Sequence, residues 1–329
     1  MWTRPIITTA LLSMTLPGCA SVSTQLPDIT LPQLKSEQIV QEASAFAELS
    51  RLKADLDRVA FPVLRANTAL CPKTKYDIGL QTHSLKSYSK ALRPAAAREI
   101  AAASTPSIVY VRPGSGADKA GVKAGDEILN EDNKAVSATA KSLQAMFKDG
   151  TRKIRIRRGA DVRDVDVEPT EVCGYPVRLS MSGTVNAYAN GRSIRITQGM
   201  MKFVKSDAEL AMVVGHELAH NTMGHIPKVV KNVILTGFAT RYTRPFELES
   251  DYVGLYYTAR ASYSLDNVED MWRRMALINP RAVARAKTHP TSPDRYLRIA
   301  LAREEILKKR AAGEPLVPNF IKDNKAPDT

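Results

Sequence analysis

The chain is short of cysteine, of aromatic residues and of acidic ones, and it has no long apolar run. Three cysteines in 329 residues exclude a small disulfide-stapled scaffold, and they cannot supply a four-cysteine zinc knot. The net charge of +13 by itself suggests an anionic partner. Aromatics make up only 6% of the sequence, and no basic run interleaves with them. Nucleic acid is therefore not expected as a partner, and acidic surfaces or acidic substrates, or a plain solubility effect, are left. Nowhere do about 18 apolar residues follow one another, as a membrane-spanning helix needs; Val229–Ala239 comes nearest and is broken by Lys231, Asn232 and Gly237. What remains is an ordinary globular composition, 44% hydrophobic and 25% charged, in a chain long enough for two domains.

The most informative stretch is His216-Glu217-Leu218-Ala219-His220. Histidines four apart lie on one face of a helix, one turn from each other, so both rings can reach one ion. Glu217 points to the side of that pair, where it can take a proton from a water on the ion. Ser206-Asp207-Ala208-Glu209 reads as a capping box that starts the helix. Leu210, Val213, Val214 and Leu218 give it an apolar face; Gly224 is expected to cap it and Pro227 to stop it. Polar pairs are costly inside a packed helix, which favours a metal site over chance. A third ligand is sought in Phe246-Glu247-Leu248-Glu249-Ser250-Asp251, which opens another helical run through Val253, Leu255 and Tyr256. On the residues alone, any acid there reads equally well as a solvated helix start.

Residues 1–18 read as an export signal: Arg4 is followed by the short apolar stretch Ile6–Leu16. Leu16-Pro17-Gly18-Cys19 resembles a lipobox, which implies lipidation of Cys19 and, with Ala20 next, the periplasmic face of a bacterial outer membrane. Residues 19–35 read as a tether. A helix is expected after Ser36 to about Val59, within a segment 36–72 belonging to the C-terminal domain. With Cys19 lipidated, Cys71 and Cys173 remain as an even pair in an exported protein and are expected to form a disulfide.

Residues 75–170 read as a separate β-rich unit. Ser107–Val111, the alternating Thr151–Arg158 and the returning Val162, Val165 and Val167 are its strands, with a turn at Gly159-Ala160. The run from Arg112 to Leu129, with A-G-V-K-A-G-D at its centre, resembles a bacterial PDZ domain. That implies peptide binding by strand addition, with Ile78-Gly79-Leu80 as the candidate carboxylate loop. Val185–Ala189 and Ser193–Thr197 flank Asn190-Gly191 and read as a hairpin.

From Thr184 to about Leu301 the chain resembles the M48 family of zinc metallopeptidases, the group that includes the HtpX-type proteases. Carrying the resemblance are V-N-A-Y at Val185–Tyr188, E-L-A at Glu209–Ala211, the H-E-L-A-H stretch with His225, E-x-x-S-D at Glu247–Asp251, and T-H-P at Thr288–Pro290. It implies one Zn²⁺ per chain on His216, His220 and Glu247, with Glu249 as fallback ligand. Asp251 would orient a ligand histidine, and Glu217 would be the catalytic base. His289 would stabilise the oxyanion or gate the ion. Ser250 stands where the family usually has Ala. His225, five residues past His220, is expected on another side of the helix in a structural role, and His83 has none assigned.

The fold implied is α+β: a mainly helical, zincin-like M48 domain (171–312) with a small sheet, an inserted PDZ-like domain, and a flexible tail at 313–329. The function implied is an envelope endopeptidase acting on misfolded or unassembled proteins. The alternative is a periplasmic adaptor or chaperone with a silent or gated site.

Overall fold

The computed structural model describes residues 26–139, 142–143, 147, 152–236, 244–278 and 293–319. The export signal, Cys19, Thr288-His289-Pro290 and the end of the tail lie outside the described residues. The chain forms two units, residues 1–41 and 42–329.

Helix α1 runs Leu31–Ala66, longer at both ends than the expected start after Ser36 and stop near Val59. At its start, Thr30 N–H donates to Gln33 Oε1 (2.9 Å) and Gln33 N–H donates to Thr30 Oγ1 (3.4 Å). This is a reciprocal cap with Pro32 in the first turn, where its missing amide costs nothing, so the expected tether gives way to helix at Leu31. At its end the helix passes through Pro62. An interior proline costs about 3 kcal/mol. Val59, Ala60, Val63 and Leu64 are all buried around it, and each fully buried Val or Leu contributes roughly 1.5–3 kcal/mol, so burial wins.

The middle of the chain contributes β1 (Thr74–Asp77), β2 (Leu80–His83), α2 (Arg93–Ile100), β3 (Ser107–Val111), α3 (Gly116–Lys119), β4 (Glu127–Leu129), β5 (Ala135–Val136), β6 (Lys153–Arg158), β7 (Asp161–Asp166) and β8 (Thr170–Cys173). Strands β5-β4-β6-β7 form one sheet and β2-β3 another, and every pairing in them is antiparallel. The alternation in β6 sends Ile154 and Ile156 inward to a core with Ile78, Ile108, Val122, Ile128 and Val167. Gly159, at φ +60°, makes the turn into β7.

The two ends of this segment are held together twice. Strands β1 and β8 pair with Thr74 opposite Cys173, and Cys71 is bonded to Cys173 with Cα atoms 5.6 Å apart. The bond closes a loop of 102 residues in sequence separation, which in the chain-entropy picture is worth up to about 4.7 kcal/mol. Urea unfolding of the Cys71→Ser/Cys173→Ser double variant should show a loss of about 2–5 kcal/mol. An unchanged midpoint would mean that the β1–β8 ladder alone holds the ends.

The C-terminal part supplies β9 (Val177–Ser180), β10 (Ala187–Ala189), β11 (Ile194–Thr197), α4 (Gln198–Phe203), α5 (Asp207–Thr222), α6 (His225–Thr236), α7 (Arg244–Arg260), α8 (Val268–Ile278) and α9 (Pro293–Ala311). The sheet order is β10-β11-β9, with β10–β11 antiparallel and β11–β9 parallel. The hairpin expected at Asn190-Gly191 is present: Ala189 faces Ile194, and Gly191 takes φ +81°, which suits the first central residue of a two-residue turn. Ile194, Ile196 and Ala187 point into a core built with α5, α7, α8, α9 and the second half of α1. The architecture is α+β. Among the described residues no helix is long and apolar enough to cross a membrane.

Helix α5 starts as its sequence suggests, with one change. Ser206 Oγ accepts from Glu209 N–H (3.2 Å), but Glu209 Oε2 accepts from Lys205 N–H (2.8 Å) rather than from Ser206. It is buried continuously from Glu209 to Asn221. Gly224 at φ +63° breaks the chain after it, and α6 begins at once at His225. Pro227 thus falls in the first turn of α6, where no amide is needed, and does not stop α5 as expected.

Candidate metal centre

Helices α5 and α7 touch backbone to backbone at two glycines. A Cβ on Gly215 would sit 2.6 Å from the Gly254 carbonyl oxygen, and one on Gly254 would sit 2.7 Å from the His216 nitrogen. Only glycine allows this approach. It brings Glu247 and Asp251, two and one turns before Gly254, beside the histidines of α5.

His216 and His220 turn their Nε2 atoms toward each other, 3.1 Å apart. Glu247 closes the triangle, with Oε2 3.5 Å from His216 Nε2 and Oε1 3.3 Å from His220 Nε2. All three are buried. An ion bonded tetrahedrally at about 2.0–2.1 Å needs ligand atoms about 3.3 Å apart, so these three fit a Zn²⁺-sized cation with nitrogen and oxygen donors and leave a fourth position. Glu217 is 2% exposed on the same helix and is not one of the three.

Behind the cage stands a second set of charges. His216 Nδ1 lies 2.9 Å from Asp251 Oδ1. Arg295, at the start of α9, donates through Nε to Asp251 Oδ2 and through Nη2 to Oδ1, both at 2.6 Å, and its Nη1 is 3.8 Å from Glu247. Its guanidinium lies 4.3 Å from the Trp272 ring centroid, and Trp272 in turn lies against the His216 ring. Burial alone would lower the pKa of His216, yet the Asp251 and Glu247 carboxylates outweigh it and hold it up at about 10. Burial likewise opposes ionisation of Asp251, but Arg295 and His216 keep its pKa below the usual carboxylate value. For His220, burial dominates and lowers the pKa, with His216 adding to the effect.

The structure brings together His216, Glu217, His220, Glu247 and Asp251. Glu249 points elsewhere: its Oε2 is 2.6 Å from His225 Nε2, so it serves no third-ligand role in this arrangement. His225 does not sit on another side of α5. It opens α6, is fully buried, and faces His220. Arg295 was not picked out in the sequence, where it reads only as part of a helix start; no local pattern separates a buried arginine from a solvated one. Gly215 and Gly254 carry only a weak signal in the sequence: each costs a helix about 1 kcal/mol relative to Ala, and the close approach that requires them is visible only in the packing.

In the β-rich unit, Ile78, Gly79 and Leu80 lie at the bend between β1 and β2. Ile78 is buried. Gly79 N–H donates to Asp77 Oδ1 (2.8 Å), and Arg112 N–H donates to the Gly79 carbonyl (2.6 Å). Arg112 spans Asp77 and, on α1, Asp57, whose two oxygens it meets at 2.6 and 2.8 Å. His83 is buried, with Nδ1 3.0 Å from the Tyr88 hydroxyl.

A family model described as Peptidase family M48 matches residues 153–235 and 228–303, which include the whole centre. The mitochondrial metalloendopeptidase OMA1 of Arabidopsis thaliana is 26% identical over 166 residues, 42% of this chain and 34% of that protein. The protein of the same name from Schizosaccharomyces pombe (strain 972 / ATCC 24843) is 24% identical over 159 residues, 40% of this chain and 47% of that protein. The chain thus spans from about a third to about half the length of these relatives. A solved HtrA3 PDZ domain bound to a phage-derived ligand aligns at 20% identity with 30% of this chain and 89% of its own, with a TM-score of 0.22. The family match and the two relatives support a metallopeptidase of the M48 kind.

Proposed function

We propose that the chain is a zinc-dependent endopeptidase of the bacterial cell envelope that cleaves misfolded or unassembled proteins. In this proposal it is tethered by a lipid at Cys19 to the periplasmic face of the outer membrane, and its β-rich unit binds peptide segments of the substrate. The observation that carries the reading is the buried triangle of His216, His220 and Glu247, with Glu217 on the same helix. Zinc is favoured because two imidazoles and one carboxylate at tetrahedral spacing, with one position left over, are its usual hydrolytic donor set.

When bound, the ion supplies Lewis acidity and a water of lowered pKa. Glu217 takes a proton from the attacking water and passes it to the leaving amide nitrogen, so one carboxylate acts first as base and then as acid. Strand β10 is one of the two edge strands of its sheet and lies against α5. An extended substrate paired with that edge would run past the centre with its carbonyls in register. Such placement is itself worth a large part of the barrier.

Zinc content and casein cleavage test this together. The purified chain should hold about one zinc per molecule. Stripping the metal with a chelator, or replacing His216 with Ala, should lower cleavage by at least about a thousandfold, and added zinc should restore only the chelated wild type. A chain that takes up no zinc would end the proposal. Zinc uptake with no cleavage of any unfolded protein would favour an adaptor with a silent site.

A further inference from the structure

His220 has a partner on the nitrogen that faces away from the cage. Its Nδ1 lies 3.1 Å from His225 Nδ1. His225 Nε2 lies 2.6 Å from Glu249 Oε2, and the Ser250 hydroxyl is 3.1 Å from the shared His225 Nδ1. The His225 ring is wholly buried and stacks on Phe246 with centroids 4.8 Å apart and planes 26° apart. Phe246, Glu249 and Ser250 belong to α7, and His225 opens α6. Three consecutive elements of the chain therefore meet at this ring.

The proton positions follow from these contacts. Two ring nitrogens facing each other attract only if one bears a hydrogen and the other does not. An ionised carboxylate only accepts, so His225 carries its proton on Nε2, toward Glu249. With a cation on His220 Nε2, the remaining proton of His220 is on Nδ1, and the 3.1 Å gap requires His225 Nδ1 to accept it. His220 Nε2 is left bare, and that is the atom turned toward His216 and Glu247. A bare Nε2 is what a histidine must present to a cation. The Ser250 hydroxyl, which this chain has where the family it resembles usually has Ala, also lies 3.1 Å from His225 Nδ1 and shares its single lone pair when it donates there.

We propose that Glu249 and His225 are positioning residues: through two hydrogen bonds in series they hold His220 in the tautomer and orientation that present Nε2 to a zinc ion. The inference rests on the zinc-centre reading above. It gives each ligand histidine a carboxylate behind it, Asp251 directly for His216 and Glu249 through an intervening ring for His220. Partners of this kind fix ligand geometry and affect metal affinity strongly.

The test is the zinc dissociation constant of the full chain, measured by competition with a chromophoric chelator. His225→Leu fills the space but accepts nothing, whereas His225→Asn puts an amide oxygen near the former Nδ1 and can still accept from His220. Leu should weaken zinc binding by about 10–100-fold, and Asn should recover most of that loss. Glu249→Ala lies at a partly exposed position, so it tests the outer bond with less disturbance of the core than a change at His225; it should weaken binding as well. The proposal is overturned if Leu binds zinc as wild type does. It is equally overturned if Asn is as poor as Leu while Glu249→Ala is unchanged, since the ring would then serve packing alone. If the wild type takes up no zinc, the zinc-centre reading itself has failed; if it takes up zinc and the variants behave in either of those two ways, only this inference has.

Discussion

Replacing Glu217 with Gln is expected to lower cleavage of an unfolded protein by about 10²–10⁴-fold, the usual contribution of a positioned general base, while zinc content stays that of wild type. Glutamine has nearly the same shape and differs mainly in being unable to take up and return a proton. The carboxylate is 2% exposed and is not one of the three atoms that form the cage, so the substitution leaves the ligands in place. Exchanging a buried charge for a neutral amide also relieves a desolvation cost, so thermal stability should not fall. The loss should therefore appear in turnover and not in metal uptake or folding. In barrier terms it is about 3–5 kcal/mol. Mass spectrometry of the digest measures it, with metal analysis of the same sample. A variant that still cleaves at the wild-type rate would move the base to another residue and break the link between His216-Glu217 and hydrolysis.

Why Glu217 and the two histidines could be read from the sequence, and other parts of the centre could not, has a physical basis. Residues one turn apart on a single helix are fixed relative to each other by helix geometry, so five letters specify three side chains. The cap at Ser206, the hairpin at Gly191 and the alternation in β6 are likewise local, each set by backbone preferences over a few residues. Contacts between elements lack that property. Glu247 and Glu249 are both acids near the start of one helix, and only the packing of α7 on α5 sends the first into the cage and the second to His225. That packing depends on Gly215 and Gly254, whose missing side chains admit the neighbouring backbone. Pro227 is expected as a stop from its usual local effect, and Pro62 would have the same effect where α1 in fact continues. At Pro62 tertiary burial outweighed the local rule, and at Pro227 a new helix had already begun. Arg295 had no local mark at all.

Arg295 should nevertheless be among the costliest residues to replace. It is 2% exposed and gives two short hydrogen bonds to Asp251, which is itself 1% exposed. Removing one partner of a buried ion pair leaves the other charge with neither water nor a counter-charge, and such changes cost about 3–5 kcal/mol. Arg295→Met keeps most of the volume and the contact with Trp272, so the loss should come from the charge and not from a cavity. Asp251, no longer balanced by the guanidinium, would then have only His216 to set against its burial. Its hold on His216 Nδ1 weakens, and zinc affinity should fall by about 10–100-fold, as for other lost partners of metal-binding histidines. Adding Asp251→Asn to Arg295→Met discriminates between charge and shape. The amide oxygen still accepts from His216 Nδ1–H, and no uncompensated charge is left, so the double variant should regain most of the stability that the single one loses. That non-additivity is the expected result for two residues that act as a pair. Urea unfolding of the wild type, both single variants and the double measures it. If the two losses simply add, the pair is not what secures His216, and the support for the cage must be sought in the glycine contact between α5 and α7.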